Sequence, residues 1–296
     1  MAEIIDGKAI AKQVRANVAK QVEILKTQNI IPGLTVIIVG EDPASQIYVR
    51  NKERAAEKAG INGQTVRMPA ETTEEELLAV IAKLNEDTTV DAILVQSPVP
   101  AHINEQKLQE AIVPEKDVDG FNPVNIGKLM ANRHSYYPVA NTPKGIMTLL
   151  AQTGIEIKGK FAVVIGRSIL VGRPMFSLLE AANASVTLLH RHTPENLRKI
   201  LLKQADLVVV AAGVPGLITG ADLKEGATVI DVGINRLEDG SLVGDVDFES
   251  AEAVAGAITP VPGGVGPMTI ATLLQTTVEL AAKHHDVELA DAWQII

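Results

Sequence analysis

The sequence has no cysteine, and its 296 residues include only four phenylalanines, three tyrosines and one tryptophan. The absence of cysteine excludes disulfides, zinc–thiolate sites and a thiol nucleophile, and it suits the reducing cytosol. No stretch approaches the roughly 20 apolar residues of a membrane span, and the N-terminus lacks a signal-peptide pattern. We therefore expect a soluble, unprocessed cytoplasmic protein with no membrane partner.

Basic residues are also in short supply, because 27 Lys and Arg against 36 Asp and Glu give a net charge of −9. This balance argues against nucleic acid as the main partner and favours a small-molecule ligand. Hydrophobic residues make up 46% of the chain. Since single hydrophobic cores stop growing near ~250–300 residues, two domains are expected.

The first hundred residues alternate between helical apolar spacing and continuous β-branched runs. Helices and strands in this order form a parallel sheet with helices on both faces, which is an α/β fold. The next segment, residues 96–141, is rich in proline and is expected to be mostly loop, with a short helix near residues 105–111. The predicted helices span residues 7–28, 43–60 and 73–85, and the predicted strands span residues 34–39, 64–68 and 92–95.

A second alternation begins at Thr142, which is expected to cap a helix through residue 150 and to mark the domain boundary. Its spacing predicts a doubly wound, Rossmann-like lobe. A C-terminal apolar helix from Gly266 to about residue 282 is assigned back to the first lobe. The predicted domains are residues 1–142 plus 270–296, and residues 143–269. Predicted strands in the second lobe are 161–165, 185–189, 207–210, 227–231 and 257–259, with helices 173–182 and 194–203.

The segment from Phe161 to Pro174 reads as a strand, a glycine turn and the start of a helix. Backbone amides at such a helix start, together with the helix dipole, suit a cofactor phosphate. The spacing differs from the usual dinucleotide fingerprint, since Ser168 replaces the second glycine and Gly172 falls one place late. An ordinary strand-to-helix turn without a ligand is the alternative.

Dinucleotide sites usually place an acidic residue after the second strand to bind the ribose 2′-hydroxyl. Here the position reads His190-Arg191-His192. Basic residues there, with Arg167 and Ser168 in the turn, favour a 2′-phosphate and hence NADP over NAD. A solvated basic patch or a free-phosphate site is the alternative. No third ligand at metal-site spacing accompanies the histidines, so no metal is predicted.

Ser45, Tyr48 and Lys52 are three and four residues apart and therefore share one face of the second predicted helix. This face lies near the strand edge where ligands bind in open α/β sheets. Lys52 is a candidate general acid or base if burial lowers its pKa, and Tyr48 can stack on a flat ring. The alternative is a surface lysine beside a packed tyrosine.

The same edge rule points to Gln96, just past the third strand, and to the loop that carries Asp117 and Asp119. A loop carboxylate can accept N–H bonds from a heterocycle, although Asp-x-Asp-Gly is also ordinary turn chemistry. Three glycine-rich turns follow strands in the second lobe, where glycine allows the backbone to approach a ligand closely; tight turns alone are the alternative for the first two. They span residues 213–216, 231–235 and 259–269.

Five segments then stand out in order along the chain. They are Asp42-Pro-Ala-Ser-Gln-Ile-Tyr-Val-Arg-Asn-Lys52, Lys116-Asp-Val-Asp-Gly-Phe121, Gly166-Arg-Ser-Ile-Leu-Val-Gly-Arg-Pro174, Asp231-Val-Gly-Ile-Asn235 and Pro260-Val-Pro-Gly-Gly-Val-Gly-Pro-Met-Thr269. With these motifs the sequence closely resembles the bifunctional methylenetetrahydrofolate dehydrogenase/methenyltetrahydrofolate cyclohydrolase family over nearly its whole length.

This resemblance implies two reactions in one cleft between the lobes. A hydride passes from 5,10-methylenetetrahydrofolate to NADP, and water then opens the methenyl product to 10-formyltetrahydrofolate. By the same resemblance, Lys52 is the catalytic lysine and Gln96 the glutamine that tunes it. Tyr48 stacks on the folate, and Asp119 holds the pterin. A homodimer is also implied by resemblance alone.

Further site residues are expected in both lobes. The expected substrate contacts are Ser45, Tyr48, Asp119, Pro262, Gly263 and Gly264. The expected cofactor contacts are Gly166, Arg167, Ser168, Val171, Gly172, Arg191, Gly213, Ile234 and Thr269.

Two positions depart from the family pattern, because Ser97 stands where leucine is common and Asn141 stands where cysteine is common. They leave open a difference in pocket lining and in thiol chemistry. Two rival functions also stay open. One is a monofunctional NAD-dependent dehydrogenase, and the other is a regulatory binding module that has kept the cofactor fold without catalysis.

Overall fold

The computed structural model describes residues 2–289, which form two compact units. The three-stranded unit contains Gln13–Asn141 together with the described residues from Ile270 onward. The six-stranded unit contains the residues up to Lys12 together with Thr142–Thr269. Each unit is named after its main sheet.

The described residues alternate between helices and strands in the manner of an α/β protein. The strands are β1 Glu3–Ile4, β2 Gly33–Val39, β3 Asn62–Met68, β4 Ala92–Val95, β5 Phe161–Ile165, β6 Ser185–Leu189, β7 Leu207–Val210, β8 Thr228–Asp231, β9 Asn235–Arg236, β10 Leu242–Val243 and β11 Ala257–Ile258. The α-helices are α1 Gly7–Lys26, α2 Pro43–Ala59, α3 Glu74–Glu86, α4 Glu105–Ala111, α5 Pro123–Met130, α6 Asn141–Gln152, α7 Gly172–Ala181, α8 Glu195–Leu202, α9 Phe248–Glu252 and α10 Gly266–His284.

In the three-stranded unit, β2 lies between β3 and β4 and pairs with both in parallel. Every residue of β2 is buried, because its Gly-Leu-Thr-Val-Ile-Ile-Val sequence is apolar or β-branched throughout. Ile37 and Val39 of this strand pack with residues of α3 and α4 in one core cluster. The carboxyl ends of all three strands therefore meet at one edge of the sheet.

Helix α2 begins directly after β2 and is fixed at both ends. Asp42 precedes Pro43, and its side chain accepts a hydrogen bond from the Ser45 amide at 2.7 Å. Gly60 ends the helix in a left-handed conformation with φ of 77°. These caps place the first two turns of α2 at the carboxyl edge of the sheet.

The six-stranded unit has the strand order β1-β11-β8-β7-β5-β6, and its paired strands are parallel. The chain runs from β5 outward to β6 and then returns to β7 on the other side of β5. This reversal is the position at which open α/β sheets bind ligands. The α/β fold class and its parallel sheets are therefore confirmed.

Three parts of the fold differ from the sequence-based expectation. Strand β1 pairs with β11, so residues 2–12 group with the six-stranded unit and not with the first lobe, to which residues 1–142 were assigned. The segment expected to be mostly loop contains α5, capped by the Asn122 side chain. A short antiparallel hairpin, β9–β10, interrupts the second alternation.

Helix α10 begins in the six-stranded unit, and from Ile270 its residues group with the three-stranded unit. Residues 290–296 of the predicted first domain lie outside the described residues. Within residues 2–289, no helix has the length and apolar character needed to cross a membrane.

Candidate functional site

Lys52 and Gln96 meet at the carboxyl edge of the three-stranded sheet. The Lys52 Nζ donates a hydrogen bond to Gln96 Oε1 at 2.9 Å. Gln96 follows β4, where its backbone amide donates to the Ile37 carbonyl and its side-chain Nε2 donates to the Ser97 carbonyl. Because a carbonyl only accepts, the Ser97 contact fixes the orientation of the amide and turns Oε1 toward Lys52.

The surroundings of Lys52 favour its neutral form more than water does. Burial lowers the pKa of the Lys52 ammonium, and the negative charge of Asp119 partly opposes that shift. A lysine with a lowered pKa gives up and takes back a proton more readily near neutral pH. The pair can therefore act as a proton-transfer site, as the sequence predicts on condition of burial.

Asp119 is the acidic member of the same group. Burial raises the pKa of the Asp119 carboxyl, while the Lys52 charge and a hydrogen bond from Asn141 lower it. The Asn141 Nδ2 lies 3.0 Å from Asp119 Oδ1. The structure thus brings Lys52, Gln96 and Asp119 into one electrostatic group, although they come from three separate segments.

Asp117 has a different task from Asp119, although the two are only two residues apart. Its Oδ2 accepts the Asn122 amide at 2.8 Å and the Asn125 Nδ2 at 3.0 Å. Burial raises its pKa to about 6. Asp117 therefore fastens the loop to the start of α5 and leaves Asp119 as the ligand candidate.

The two other candidate residues on α2, Tyr48 and Ser45, differ in their exposure to solvent. Tyr48 is 49% exposed and offers a free ring surface for stacking, whereas Ser45 is buried and only 4% exposed. The Ser45 amide donates to Asp42 at the start of the helix. The sequence predicts that these residues share one face of the helix, and the structure shows that they differ in access to solvent, because Ser45 lies on the packed side of α2.

The turn after β5 in the six-stranded unit requires glycine. Gly166 has φ of 119°, and a Cβ built there would lie 2.2 Å from the Ala211 carbonyl oxygen, which follows β7. A Cβ on Gly172 would lie 2.0 Å from the Gly166 carbonyl oxygen. The turn is therefore folded back against both β7 and its own helix, and glycine is required at position 172, one place later than the last glycine of the usual fingerprint.

Ser168 organises the helix start that the sequence assigns to phosphate binding. Its Oγ accepts the Val171 amide at 3.2 Å, and its carbonyl accepts the Arg173 amide at 3.0 Å. Pro174 has no N–H. Fewer backbone donors are available than the sequence implies, and the groups left here that could contact a phosphate are the Ser168 hydroxyl, the Gly172 amide and nearby cationic side chains.

Arg167 and Arg191 follow neighbouring parallel strands, since Ile165 of β5 pairs with Leu189 of β6. Both guanidinium groups are on exposed residues at the same edge. Arg191 Nε contacts His192 Nε2 at 3.2 Å, and the His190 and His192 rings are 5.9 Å apart. In the described part of the chain, no group of three His, Cys, Asp or Glu is placed to hold a metal ion.

The structural roles of two buried carboxylates at this edge were not predicted from the sequence, although Asp231 begins one of the five motifs quoted above. Asp245 accepts the amides of Ala212, Gly213 and Val214 at 2.6–2.9 Å and the Asn235 Nδ2 at 2.8 Å. Asp231 accepts the amides of Gly233, Asp245 and Val246. Together they hold the loops that carry Gly213 and Ile234. The signal in the sequence was the Gly-Asp pair at 244–245, which pattern reading treats as an ordinary turn.

The segment 259–269 is a structured turn in the same unit. Thr259 Oγ1 accepts the Asp231 amide at 2.8 Å, and the Gly263 carbonyl accepts the Lys8 amide at 3.1 Å. The predicted substrate contacts Pro262–Gly264 thus belong to the six-stranded unit. Thr269 Oγ1 lies 2.9 Å from Thr142 Oγ1 at the starts of α10 and α6.

These residues fit a dinucleotide. A Cβ at Gly213 would meet nothing within 4 Å, so this turn, held by Asp245, has open space before it. Ile234 is 51% exposed and presents an apolar surface for a ring. With the two arginines and the Gly166 turn at the sheet reversal, the edge offers apolar, cationic and hydrogen-bonding groups of the kind that such a cofactor needs.

The chain combines a doubly wound unit that has this edge with a unit that carries a partly buried Lys-Gln-Asp group, and the two together define a dinucleotide-dependent enzyme with a proton-transfer group. Comparison with known families agrees. Residues 5–119 match the tetrahydrofolate dehydrogenase/cyclohydrolase catalytic domain, and residues 140–285 match the NAD(P)-binding domain of the same family. The chain belongs to the tetrahydrofolate dehydrogenase/cyclohydrolase family.

Relatives resemble the chain over nearly its full length. The bifunctional protein FolD of Lactiplantibacillus plantarum is 60% identical over 97% of this chain and 99% of its own, and that of Moorella thermoacetica is 54% identical over 95% and 99%. The crystal structure of the bifunctional enzyme FolD from Campylobacter jejuni is 45% identical with a TM-score of 0.93, covering 96% of this chain and 99% of that one.

The structure of the Trypanosoma brucei enzyme, solved with NADP cofactor and an inhibitor, is 40% identical with a TM-score of 0.91. It covers 95% of this chain and 98% of that one. The predicted family and the predicted class of enzyme are confirmed.

Proposed function

We propose that this protein oxidises 5,10-methylenetetrahydrofolate to 5,10-methenyltetrahydrofolate with NADP and then hydrolyses the product to 10-formyltetrahydrofolate. The observation that carries this proposal is the Lys52 Nζ, which lies 2.9 Å from Gln96 Oε1 and has its pKa lowered by burial. The relatives named FolD are bifunctional by name. A proton-managing lysine is what the hydrolytic half of such an activity requires.

In hydrolysis, a water molecule must lose a proton as it attacks the methenyl carbon, and the ring nitrogen must gain one as the ring opens. Lys52 in its neutral form accepts a proton at Nζ, and Lys52 in its charged form returns it. Gln96 holds the Nζ in place and contributes no proton of its own, because an amide does not titrate in this range.

The substrate contacts follow from the same group. Asp119 is proposed to accept N–H bonds from the pterin, and the exposed Tyr48 ring is proposed to stack on the folate. Ser45 is proposed to contribute through the packing of α2, because it is buried. Pro262, Gly263 and Gly264 complete the proposed substrate set.

NADP supplies the hydride acceptor when bound, and the six-stranded unit is proposed to hold it. Arg167 and Arg191 provide positive charge for the 2′-phosphate, and Ser168 provides a hydroxyl donor. The remaining contacts serve close backbone approach and apolar packing. They are Gly166, Val171, Gly172, Gly213, Ile234 and Thr269.

A homodimer in the cytoplasm, without nucleic acid as a partner, is the proposed working state. The absence of cysteine supports the reducing compartment, and the net charge of −9 argues against nucleic acid. Light scattering coupled to size-exclusion chromatography tests the dimer, since a single 31.4 kDa species would contradict it.

The proposed function is tested by a spectrophotometric assay with methylenetetrahydrofolate and either NADP or NAD. We expect reduction of NADP with a far higher kcat/KM than reduction of NAD, followed by decay of the methenyl absorbance. Preference for NAD without hydrolysis would favour a monofunctional dehydrogenase. Inactivity with both cofactors would favour a binding module.

A further inference from the structure

Asn141, the first residue of α6, has an amide whose orientation is fixed by its neighbours. Its Nδ2 donates to the Val118 carbonyl at 3.0 Å, and its Oδ1 accepts a bond from Thr276 Oγ1 of α10 at 3.2 Å. A backbone carbonyl accepts only, so Nδ2 cannot exchange places with Oδ1 without losing that bond. The second N–H of the same nitrogen is therefore the one that faces Asp119.

That second donor reaches Asp119 Oδ1 at 3.0 Å. One nitrogen thus bonds a carboxylate and the backbone carbonyl of the residue just before it. This arrangement sets the direction of the Asp119 side chain relative to its own main chain. Asn141 is only 4% exposed, so water does not readily replace it.

We propose that Asn141 is a positioning residue for Asp119, holding the carboxylate in the direction from which it binds the N–H groups of the pterin. This inference rests on the proposed function, in which Asp119 holds the substrate. Asn141 stands where the family pattern commonly has cysteine. A cysteine carries a single weak S–H donor and cannot serve Val118 and Asp119 together.

Two charged groups near Asp119 act on the direction in which its carboxylate points. Lys52 on α2 attracts the carboxylate, and Asp117 on the same loop repels it. Without the Asn141 donor, Asp119 is free to turn toward the Lys52 ammonium. The hydrogen bond from Asn141 also lowers the pKa of Asp119 against the effect of burial, so it helps to keep the carboxylate charged.

The test compares Asn141→Ala with Asn125→Ala. Asn125 offers a matched control, because its Nδ2 also bonds a buried carboxylate and a backbone carbonyl, namely Asp117 at 3.0 Å and Pro114 at 2.9 Å. Both variants lose the same two Nδ2 hydrogen bonds, and Asn141→Ala also loses the bond from Thr276. Only Asn141→Ala removes a contact to Asp119, the carboxylate that is proposed to bind the substrate.

We expect Asn141→Ala to raise KM for methylenetetrahydrofolate about tenfold while KM for NADP changes less than about twofold. The acidic limb of kcat/KM against pH should move to higher pH, because the carboxyl that loses its donor needs a higher pH to ionise. Asn141→Ser, which keeps one hydroxyl donor, should recover part of both effects. Asn125→Ala should change neither parameter.

Equal behaviour of the two alanine variants in KM and in pH profile overturns the positioning role and leaves the proposed function intact. If Asn141→Ala does not fold, Asn141→Ser carries the comparison with Asn125→Ser. A wild-type protein with no activity on methylenetetrahydrofolate overturns the proposed function, and the role of Asn141 falls with it. The activity of the wild-type protein therefore tests the proposed function, and the comparison of the two alanine variants tests the positioning role of Asn141.

Discussion

The two units treat their buried carboxylates in different ways. Asp245 of the six-stranded unit is fully buried and accepts four hydrogen bonds, three of them from consecutive backbone amides. Within residues 2–289, the hydrogen bond to the Asp119 side chain in the three-stranded unit comes from Asn141, and Lys52 supplies the opposite charge. A carboxylate saturated by the backbone acts as scaffold, whereas one balanced against an ammonium group is suited to chemistry.

The same contrast extends to how each unit presents its site. The six-stranded unit shapes the backbone, with glycines at close approaches and acidic side chains holding loops in place. The three-stranded unit arranges side chains of one helix and two loops around Lys52. Hydride transfer mainly requires two rings to be oriented, whereas hydrolysis requires a group that moves protons. The shaped backbone of the six-stranded unit therefore suits the orientation of rings, and the side chains around Lys52 suit proton transfer.

The largest expected effect is at Lys52. Lys52→Met keeps most of the length and the apolar character of the side chain but removes the titrating nitrogen, so we expect cyclohydrolase kcat to fall by about a thousandfold. Circular dichroism should show an unchanged fold. Lys58→Met, on the exposed face of the same helix, is the control and should retain activity. If Lys52→Met retains hydrolysis, Lys52 does not transfer the proton, and the proposed difference in chemical role between the two units is wrong.

The next effect concerns the backbone of the six-stranded unit. Gly166→Ala forces an unfavourable φ and drives a Cβ into the Ala211 carbonyl, so we expect about 3 kcal/mol of lost stability together with weaker NADP binding. Urea denaturation and cofactor titration measure the two quantities. Gly226→Ala is the matched control, since Gly226 also has positive φ but a Cβ there meets nothing within 4 Å. Its expected cost is about 1 kcal/mol. Equal losses in both variants would show that strain, and not the close approach to β7, decides the Gly166 position.

Much of this organisation could be predicted from the sequence, because β-branched runs and capping residues are local signals. The predicted strand at residues 92–95 and the predicted helix at residues 105–111 match the bounds observed. Strand β1 was not predicted, because two residues are too short to show an alternating hydrophobic pattern. They form a strand only by pairing with β11. Helix α5 was hidden by the surrounding prolines, although Asn122-Pro123 is a helix-start signal.

The candidate site shows the same limit. Position at a strand end pointed to Gln96, Lys52 and Asp119, and the structure joins them through contacts between residues far apart in sequence. The roles of Asp245 and Asn141 depend on partners up to 135 residues away, as with Thr276. Such partners leave no local pattern, so sequence reasoning saw Asn141 only as a departure from a family motif.

A smaller effect is expected at Asp117, whose contribution to stability depends on pH. Its pKa of about 6 in the folded protein lies above the ordinary 3.8, so the native state binds the proton more tightly than the unfolded state. Its favourable contribution is complete below about pH 4 and is lost as pH rises through about 6. Asp117→Asn keeps an oxygen acceptor and cannot ionise, so at about pH 8 the variant should be about 2 kcal/mol more stable than wild type.

Denaturation curves at several pH values measure this difference, which should shrink toward about pH 4. Asp239→Asn is the control from the six-stranded unit. The Asp239 side chain is hydrogen-bonded by Ser241, which lowers the pKa of Asp239, so this variant should show a small change of opposite sign. A pH-independent difference for Asp117→Asn would mean that the pKa of Asp117 is not raised in the native state.

The smallest effect concerns cofactor choice at the edge of β5 and β6. Arg191→Ser removes one exposed guanidinium group, so we expect KM for NADP to rise about tenfold, equivalent to about 1.4 kcal/mol, while KM for NAD stays unchanged. The effect is modest because Arg167 remains and the site is exposed to solvent, which screens charge. Arg133→Ser, an exposed arginine of the three-stranded unit, is the control. An equal rise for NAD and NADP would assign Arg191 to the shared part of the dinucleotide, and indifference to both would leave Arg167 and Ser168 as the groups that select NADP.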